Sequence, residues 1–142
     1  MPASLRAGLR ILALVLLASA ASAEEFVVIV HPSNPARSLD KSALSQLMLK
    51  KRTAWENGTA AEPVERKADS ALRGAFSKAV HGKSPSALKS YWQQQIFAGR
   101  SVPPPELATD QQVVDFVKAH PGAVGYVAPD AARAGVARLE LR

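Results

Sequence analysis

The chain has 142 residues, enough for one domain, and it contains no cysteine, which excludes disulfide bonds, thiolate metal sites and cysteine nucleophiles. Its net charge of +6 suits an anionic ligand or an anionic membrane surface. Nucleic-acid-binding proteins typically have clusters of cations interleaved with aromatic residues. The one dense cluster of cations here is Lys50-Lys51-Arg52, which falls where a helix is expected to end. We therefore expect no nucleic-acid partner.

The first 23 residues have the pattern of a secretory signal peptide. Arg6 and Arg10 precede an unbroken apolar run over residues 11–20, and Ala21-Ser22-Ala23 forms a small-x-small cleavage site. The alternative is an uncleaved membrane anchor, but the run is shorter than the roughly 20 residues that a transmembrane span needs. We expect residues 1–23 to be removed and residues 24–142 to form a periplasmic domain with no membrane span.

Strands are predicted at four places in the mature chain. Residues 26–30 are continuously apolar and largely β-branched, which is typical of a strand covered on both faces, as in parallel sheets flanked by helices. Residues 63–66 and 123–127 form two further candidates, and residues 136–141 predict an edge strand. Residues 98–106 include three consecutive prolines, which favour an extended crossing.

Helices are predicted where apolar residues recur at spacings of three and four. Each of these stretches begins at a residue that commonly caps helices: Asp40, Asp69 or Ser70, Ser84 and Asp110. Because these helices alternate with the strands, the sequence predicts an α/β fold with an open, mostly parallel sheet flanked by helices.

Residue patterns of an enzyme are weak. The three histidines, His31, His81 and His120, have no spacing typical of metal ligands, and no nucleophile elbow or phosphate-binding glycine loop is present. We expect no catalytic residue, no metal and no cofactor.

The best candidate site lies where the short strand 63–66 meets the next helix. A helix start presents free backbone N–H groups that bind anions, Ser70 could add a hydroxyl, and the Arg66 guanidinium could hold two oxygens. Arg66 and Ser70 are therefore the predicted anion-binding residues. The alternative is purely structural: Ser70 or Asp69 caps the helix, and Arg66 pairs with Asp69.

Four motifs in the same order resemble the phosphate-type ABC-transporter substrate-binding proteins. The stretch from Val27 to Pro35 is followed by Ser38-Leu39, a helix and Trp55-Glu56-Asn57-Gly58. Val64-Glu65-Arg66 with Ser70 is similar to the family's phosphate loop, and Pro121-Gly122-Ala123-Val124-Gly125-Tyr126-Val127 is similar to its Pro-Gly-Ala-Ile-Gly-Tyr-Val strand. The resemblance extends over nearly the whole mature chain.

This resemblance implies a domain like one lobe of a periplasmic binding protein. The family's arginine and serine contact phosphate, and they fall on Arg66 and Ser70, while the family's Gly-Ser-Gly-Thr is replaced by Asp69-Ser70-Ala71-Leu72. The first hypothesis is a weak oxyanion-binding module. The alternative is an accessory protein that docks a partner, or a second copy, through the former inter-lobe face.

Aromatic side chains could anchor such an interface, and the candidates are Trp55, Tyr91, Trp92 and Phe97. For Trp92 core packing is the favoured interpretation, because its helix is amphipathic.

Overall fold

The computed structural model describes residues 25–142. The predicted signal peptide, residues 1–23, lies outside the described residues. The strands are β1 (Val27–Val30), β2 (Ser38–Leu39), β3 (Glu62–Pro63), β4 (Glu65–Arg66), β5 (Glu106–Leu107), β6 (Ala123–Val127) and β7 (Ala137–Leu141). The α-helices are α1 (Lys41–Met48), α2 (Ala71–Phe76), α3 (Pro85–Phe97) and α4 (Asp110–Ala119). A π-helical turn, Ser77–His81, continues α2, and a 3-10 turn, Pro129–Ala131, follows β6.

The main sheet has the strand order β2-β7-β1-β6-β3. Only β1 is antiparallel to its neighbours β6 and β7, while β2 pairs parallel with β7 and β3 pairs parallel with β6. Four of the five strands therefore run in one direction, which confirms the mostly parallel α/β fold. A separate parallel pair joins β4 to β5.

Alternation along β1 divides the core into two layers. Val28 and Val30 face one cluster with α1 and α2, whereas Ile29 faces a second cluster with α4. Gly125 of β6 allows α4 to approach closely, because a Cβ there would lie 2.6 Å from a methyl carbon of Val113. The result is a three-layer domain with helices on both faces of the sheet.

Several local predictions need correction. The predicted edge strand, observed as β7, lies inside the sheet between β1 and β2, and the predicted strand 63–66 is divided between β3 and β4 in different sheets. The apolar run over β1 correctly predicted a strand that is buried on both faces. A central antiparallel strand, however, is as buried as a parallel one. The run therefore could not give strand direction.

Helix starts were predicted more accurately than their capping bonds. Ser84 caps α3 as expected, with its side chain accepting a hydrogen bond from the Ala87 N–H. Asp40 occupies the capping position of α1 without a side-chain capping bond. Asp110 is not a cap, because Thr109 caps α4 and Asp110 is the first helical residue. Within residues 25–142, no helix combines the length and apolar character needed to cross a membrane.

Candidate functional site

The predicted site residues meet in one open depression at the start of α2. Arg66 ends β4, and Ser70 immediately precedes α2. The residues lining the depression are Glu25, Arg66, Ser70, Ala71, Leu72, Asp110, Ala128 and Pro129. Segments distant in sequence, namely the chain before β1, the start of α4 and the end of β6, thus surround the predicted pair.

Ser70 is the cap of α2, so of the two capping candidates Ser70 is correct and Asp69 is not. Its backbone is extended, and its Oγ accepts a hydrogen bond from the Arg73 N–H at 3.4 Å. Among the described residues, the backbone N–H groups of Ala71 and Leu72 have no hydrogen-bond partner, as is usual in a first helical turn. Two backbone donors and the Ser70 hydroxyl therefore lie together at this helix start.

The Arg66 guanidinium is buried and already has a carboxylate partner. Its Nη1 donates to Asp110 Oδ1 at 2.5 Å, and its Nη2 donates to the Ala108 carbonyl at 3.4 Å. The proposed alternative pairing with Asp69 is wrong, because Asp69 is exposed and the partner is Asp110. Asp110 Oδ1 also accepts from the Ala128 N–H at 3.3 Å. The Asp110 carboxylate thus lies at the depression beside the predicted anion ligand.

Arg73 holds the strand that carries Arg66. Its Nη1 donates to the Arg66 carbonyl and to Glu106 Oε1, both at 2.9 Å, and its Nε lies 3.8 Å from Glu65 Oε1. Arg73 is itself buried, although it follows an exposed helix start. The sequence placed Arg73 one turn inside the helix but gave no sign of its three partners on β4 and β5.

Glu65, beside Arg66 on β4, is a buried carboxylate that does not line the depression. Burial raises the pKa of Glu65, while a hydrogen bond from the Tyr126 hydroxyl and the charge of Arg73 act in the opposite direction. Burial and the neighbouring Glu65 raise the pKa of Tyr126, so its hydroxyl remains a donor. The corner formed by β4, β5 and α2 therefore contains its own counter-ions.

The histidines have structural contacts. His31 and His120 each bond locally, to Ser33 and to the Phe116 carbonyl. His81 Nδ1 lies 2.7 Å from Ser45 Oγ, and burial together with Lys83, Arg73 and Lys51 lowers the pKa of His81 to about 4. In residues 25–142, no group of three or more histidine, aspartate or glutamate side chains is arranged to hold a metal ion.

The four aromatic candidates for an interface differ in burial. Trp92 is buried, so the core-packing interpretation of Trp92 is confirmed; Trp55 is also buried, so its prediction as an exposed interface residue is wrong. Trp55 also donates from Nε1 to the Gly122 carbonyl at 2.9 Å. Tyr91 is half-buried, and Phe97 is 93% exposed. Phe97 was therefore the one correct choice of a fully exposed aromatic residue, and it does not line the depression.

Solved structures with the same fold include phosphate-related transport proteins. An ABC-type phosphate transport receptor from Vibrio cholerae matches with a TM-score of 0.65 and 16% identity over 82% of this chain and 45% of its own. A protein from Clostridium perfringens solved with bound phosphate matches with a TM-score of 0.65 and 19% identity over 82% and 44%. PstS from Borrelia burgdorferi matches with a TM-score of 0.58 and 12% identity over 82% and 47%.

At these identities the likeness concerns the fold, and the chain spans less than half the length of each of these proteins. No curated protein matches the sequence. The family described as the PBP superfamily domain matches residues 16–138, which is most of the chain. The motif order, the lobe-like fold and this match agree, and the chain belongs to the PBP superfamily.

Proposed function

We propose that this protein is an exported, periplasmic binding module that holds a phosphate-like oxyanion weakly, and that it is not an enzyme. The observation that carries the proposal is that the buried Arg66 guanidinium lines the same depression as Ser70, Ala71 and Leu72. The matched structures include a phosphate transport receptor and a protein with bound phosphate, which supports this class of ligand.

The donors in the depression suit a tetrahedral oxyanion. A guanidinium carries five N–H groups, and the hydrogen bonds of Arg66 to Asp110 and Ala108 use two of them. The free N–H groups of Ala71 and Leu72 and the Ser70 hydroxyl are the other donors. Because α2 is short, Arg66 and not the helix end is the principal ligand in this proposal.

The same geometry explains why the affinity should be weak. Asp110 already neutralises Arg66, and Glu25 adds a second carboxylate at the depression. The depression is also open to water, which weakens the attraction between Arg66 and a bound anion. We expect a dissociation constant on the order of 1 mM, which corresponds to about −4 kcal/mol.

Calorimetric titration with phosphate and with sulfate tests the site. Arg66→Ala should weaken binding about tenfold or more, because a hydrogen bond to a charged group contributes roughly 1.5–3 kcal/mol. Ser70→Ala should weaken binding less. Arg133→Ala, at an exposed arginine whose guanidinium donates to the Asp130 carbonyl, is the matched control and should bind like the wild type. An absence of binding at several millimolar anion, or normal binding by Arg66→Ala, would overturn the proposal.

Export is tested separately. The basic, apolar and small-residue order of residues 1–23 supports cleavage after Ala23. Mass spectrometry of the protein from the periplasmic fraction should give an N-terminus at Glu24. A protein that retains Met1 would contradict export with leader removal.

A second candidate function is docking of a partner, or of a second copy, through the face that carries the depression. The Arg66–Asp110 ion pair favours it, because a guanidinium neutralised from within is less available to a ligand. Light scattering after size-exclusion chromatography separates the two candidates. A monomer that binds phosphate supports the oxyanion module, and a dimer that binds no phosphate supports docking.

A further inference from the structure

Helix α3 lies at the edge of the fold and packs through few side chains. Its buried residues are Leu88 and Trp92, and they form a small cluster with Leu49, separate from the two layers of the main core. Tyr91 packs against this cluster, and its hydroxyl donates to the Leu49 carbonyl at 3.0 Å. The remainder of α3 is mostly exposed.

The outer end of α3 carries apolar side chains that face water. In residues 25–142, the large hydrophobic residues that are exposed are Ile96 at 53%, Phe97 at 93% and Val102 at 61%. All three lie within a few residues of the helix end, and Gly99, with a positive φ of 64°, turns the chain there. They are therefore close together along the chain, and we call these three residues the apolar tip.

The stretch of chain that carries this tip contains cations and no carboxylate. Residues 70–105 contain no aspartate or glutamate, and they include Lys83, Lys89 and Arg100. Lys89 and Phe97 are eight residues apart on α3 and so lie on one face of the helix.

We propose that the apolar tip of Ile96, Phe97 and Val102, with Lys89 and Arg100 near it along the chain, docks on an anionic phospholipid surface. Exposed aromatic and aliphatic side chains enter the interface between headgroups and acyl chains, and flanking cations pair with lipid phosphates. The cations of this acid-free stretch of sequence match an anionic bilayer, and they oppose a second copy, which would bring the same charges face to face.

The small size of the tip also favours a lipid surface over a protein partner. A specific protein interface needs about 20–30 residues on each side, whereas the apolar tip has three residues, two at the end of α3 and one in the segment that follows it. A bilayer requires no complementary shape, so a few apolar residues with several cations are sufficient for reversible binding. Binding of this kind is sensitive to salt.

Vesicle sedimentation tests the proposal. The chain from Glu24 is used, because it contains the whole described fold and residues 11–20 would bind lipid by themselves. We expect sedimentation with vesicles of phosphatidylglycerol and phosphatidylethanolamine, and little with phosphatidylcholine alone. Raising salt from about 0.1 M to about 0.5 M should release the protein, because screening shortens the reach of the charges.

Variants locate the contact. Phe97→Ser should lower the partition coefficient about tenfold, because it removes the most exposed apolar side chain, and Phe97→Leu should retain binding. Lys89→Glu should lower it about fivefold or more. Lys118→Glu, with the same charge change on α4, is the matched control and should bind normally. Unchanged melting temperatures show that every variant is folded.

Three results would overturn the proposal. They are equal sedimentation with neutral vesicles, no sedimentation with anionic vesicles, and equal losses of binding for Lys89→Glu and Lys118→Glu. A dimer that Phe97→Ser dissociates, without vesicle binding, would show that a second copy covers the tip.

Discussion

Two regions of the molecule differ in whether their cations are paired. They are the corner at β4 and α2 and the outer end of α3. In the corner, Arg66 pairs with Asp110 and Arg73 pairs with Glu106, so each buried guanidinium has a carboxylate within 2.9 Å. Lys89 on α3 and Arg100 just after the helix are exposed, in a stretch of sequence with no acidic residue. A buried charge without a partner costs several kcal/mol, whereas a solvated one costs little.

This difference separates two kinds of binding. The corner neutralises its own charge, so an external oxyanion must share Arg66 with Asp110 and gains little. The end of α3 keeps its cations and its apolar side chains available to a partner outside the molecule. The corner therefore combines folding with weak ligand binding, while the exposed outer end of α3 contributes little to folding.

The largest effect should come from Arg73. Arg73→Met leaves the buried Glu65 without its nearest cation and the Arg66 carbonyl without a donor. We expect a loss of about 3–5 kcal/mol in the free energy of unfolding, measured by urea denaturation. Arg100→Met on the exposed surface is the control and should stay within about 0.5 kcal/mol. Equal effects of the two variants would contradict the contrast.

His81 should make stability depend on pH. Its pKa falls from 6.5 to about 4 on folding, mainly through burial, so the unfolded state binds more protons between these values. The free energy of unfolding should therefore decrease as pH is lowered from about 6.5 to about 4, by about 1–2 kcal/mol after allowance for partial exposure.

The variant His81→Asn isolates the contribution of His81 to this pH dependence. The amide oxygen of the new asparagine can still accept a hydrogen bond from the Ser45 hydroxyl. Burial raises the pKa of Glu65, which stabilises the fold as pH falls and so opposes the effect. The difference between wild type and variant removes the Glu65 contribution. A difference that does not vary with pH would show that His81 titrates normally.

Ser70→Ala should have a smaller effect, about 1 kcal/mol of stability, through loss of the α2 cap. Ser86→Ala inside α3, at an exposed serine without a capping role, is the matched control. Thermal melts measure both. If the two variants have the same melting temperature, the hydrogen bond from the Arg73 N–H to the Ser70 side chain contributes nothing to stability.

The smallest effect on stability is expected at Phe97. Because the side chain is 93% exposed, Phe97→Ser should change the free energy of unfolding by less than about 0.5 kcal/mol. Trp92→Ala on the same helix removes a buried side chain and should cost about 3 kcal/mol or more. Comparable losses would mean that Phe97 packs against the fold.

The sequence was sufficient for features that depend on local pattern. The helix start at Ser70, the position of Arg66 at a strand end and the burial of β1 all followed from residue type and spacing. The partner of Arg66 could not be predicted, because Asp110 is 44 residues away and is brought close only when β4 pairs with β5. The direction of β1 could not be predicted either, because parallel and antiparallel central strands are both buried on two faces.

The most direct test that phosphate binds at the corner and not at α3 is an amide-resolved NMR titration with phosphate. We expect shifts at the amides of Ser70, Ala71 and Leu72 and at the Arg66 side chain, saturating in the millimolar range. We expect that α3 amides around Lys89 do not move. Shifts confined to α3, or none near α2 at several millimolar phosphate, would contradict binding at the corner.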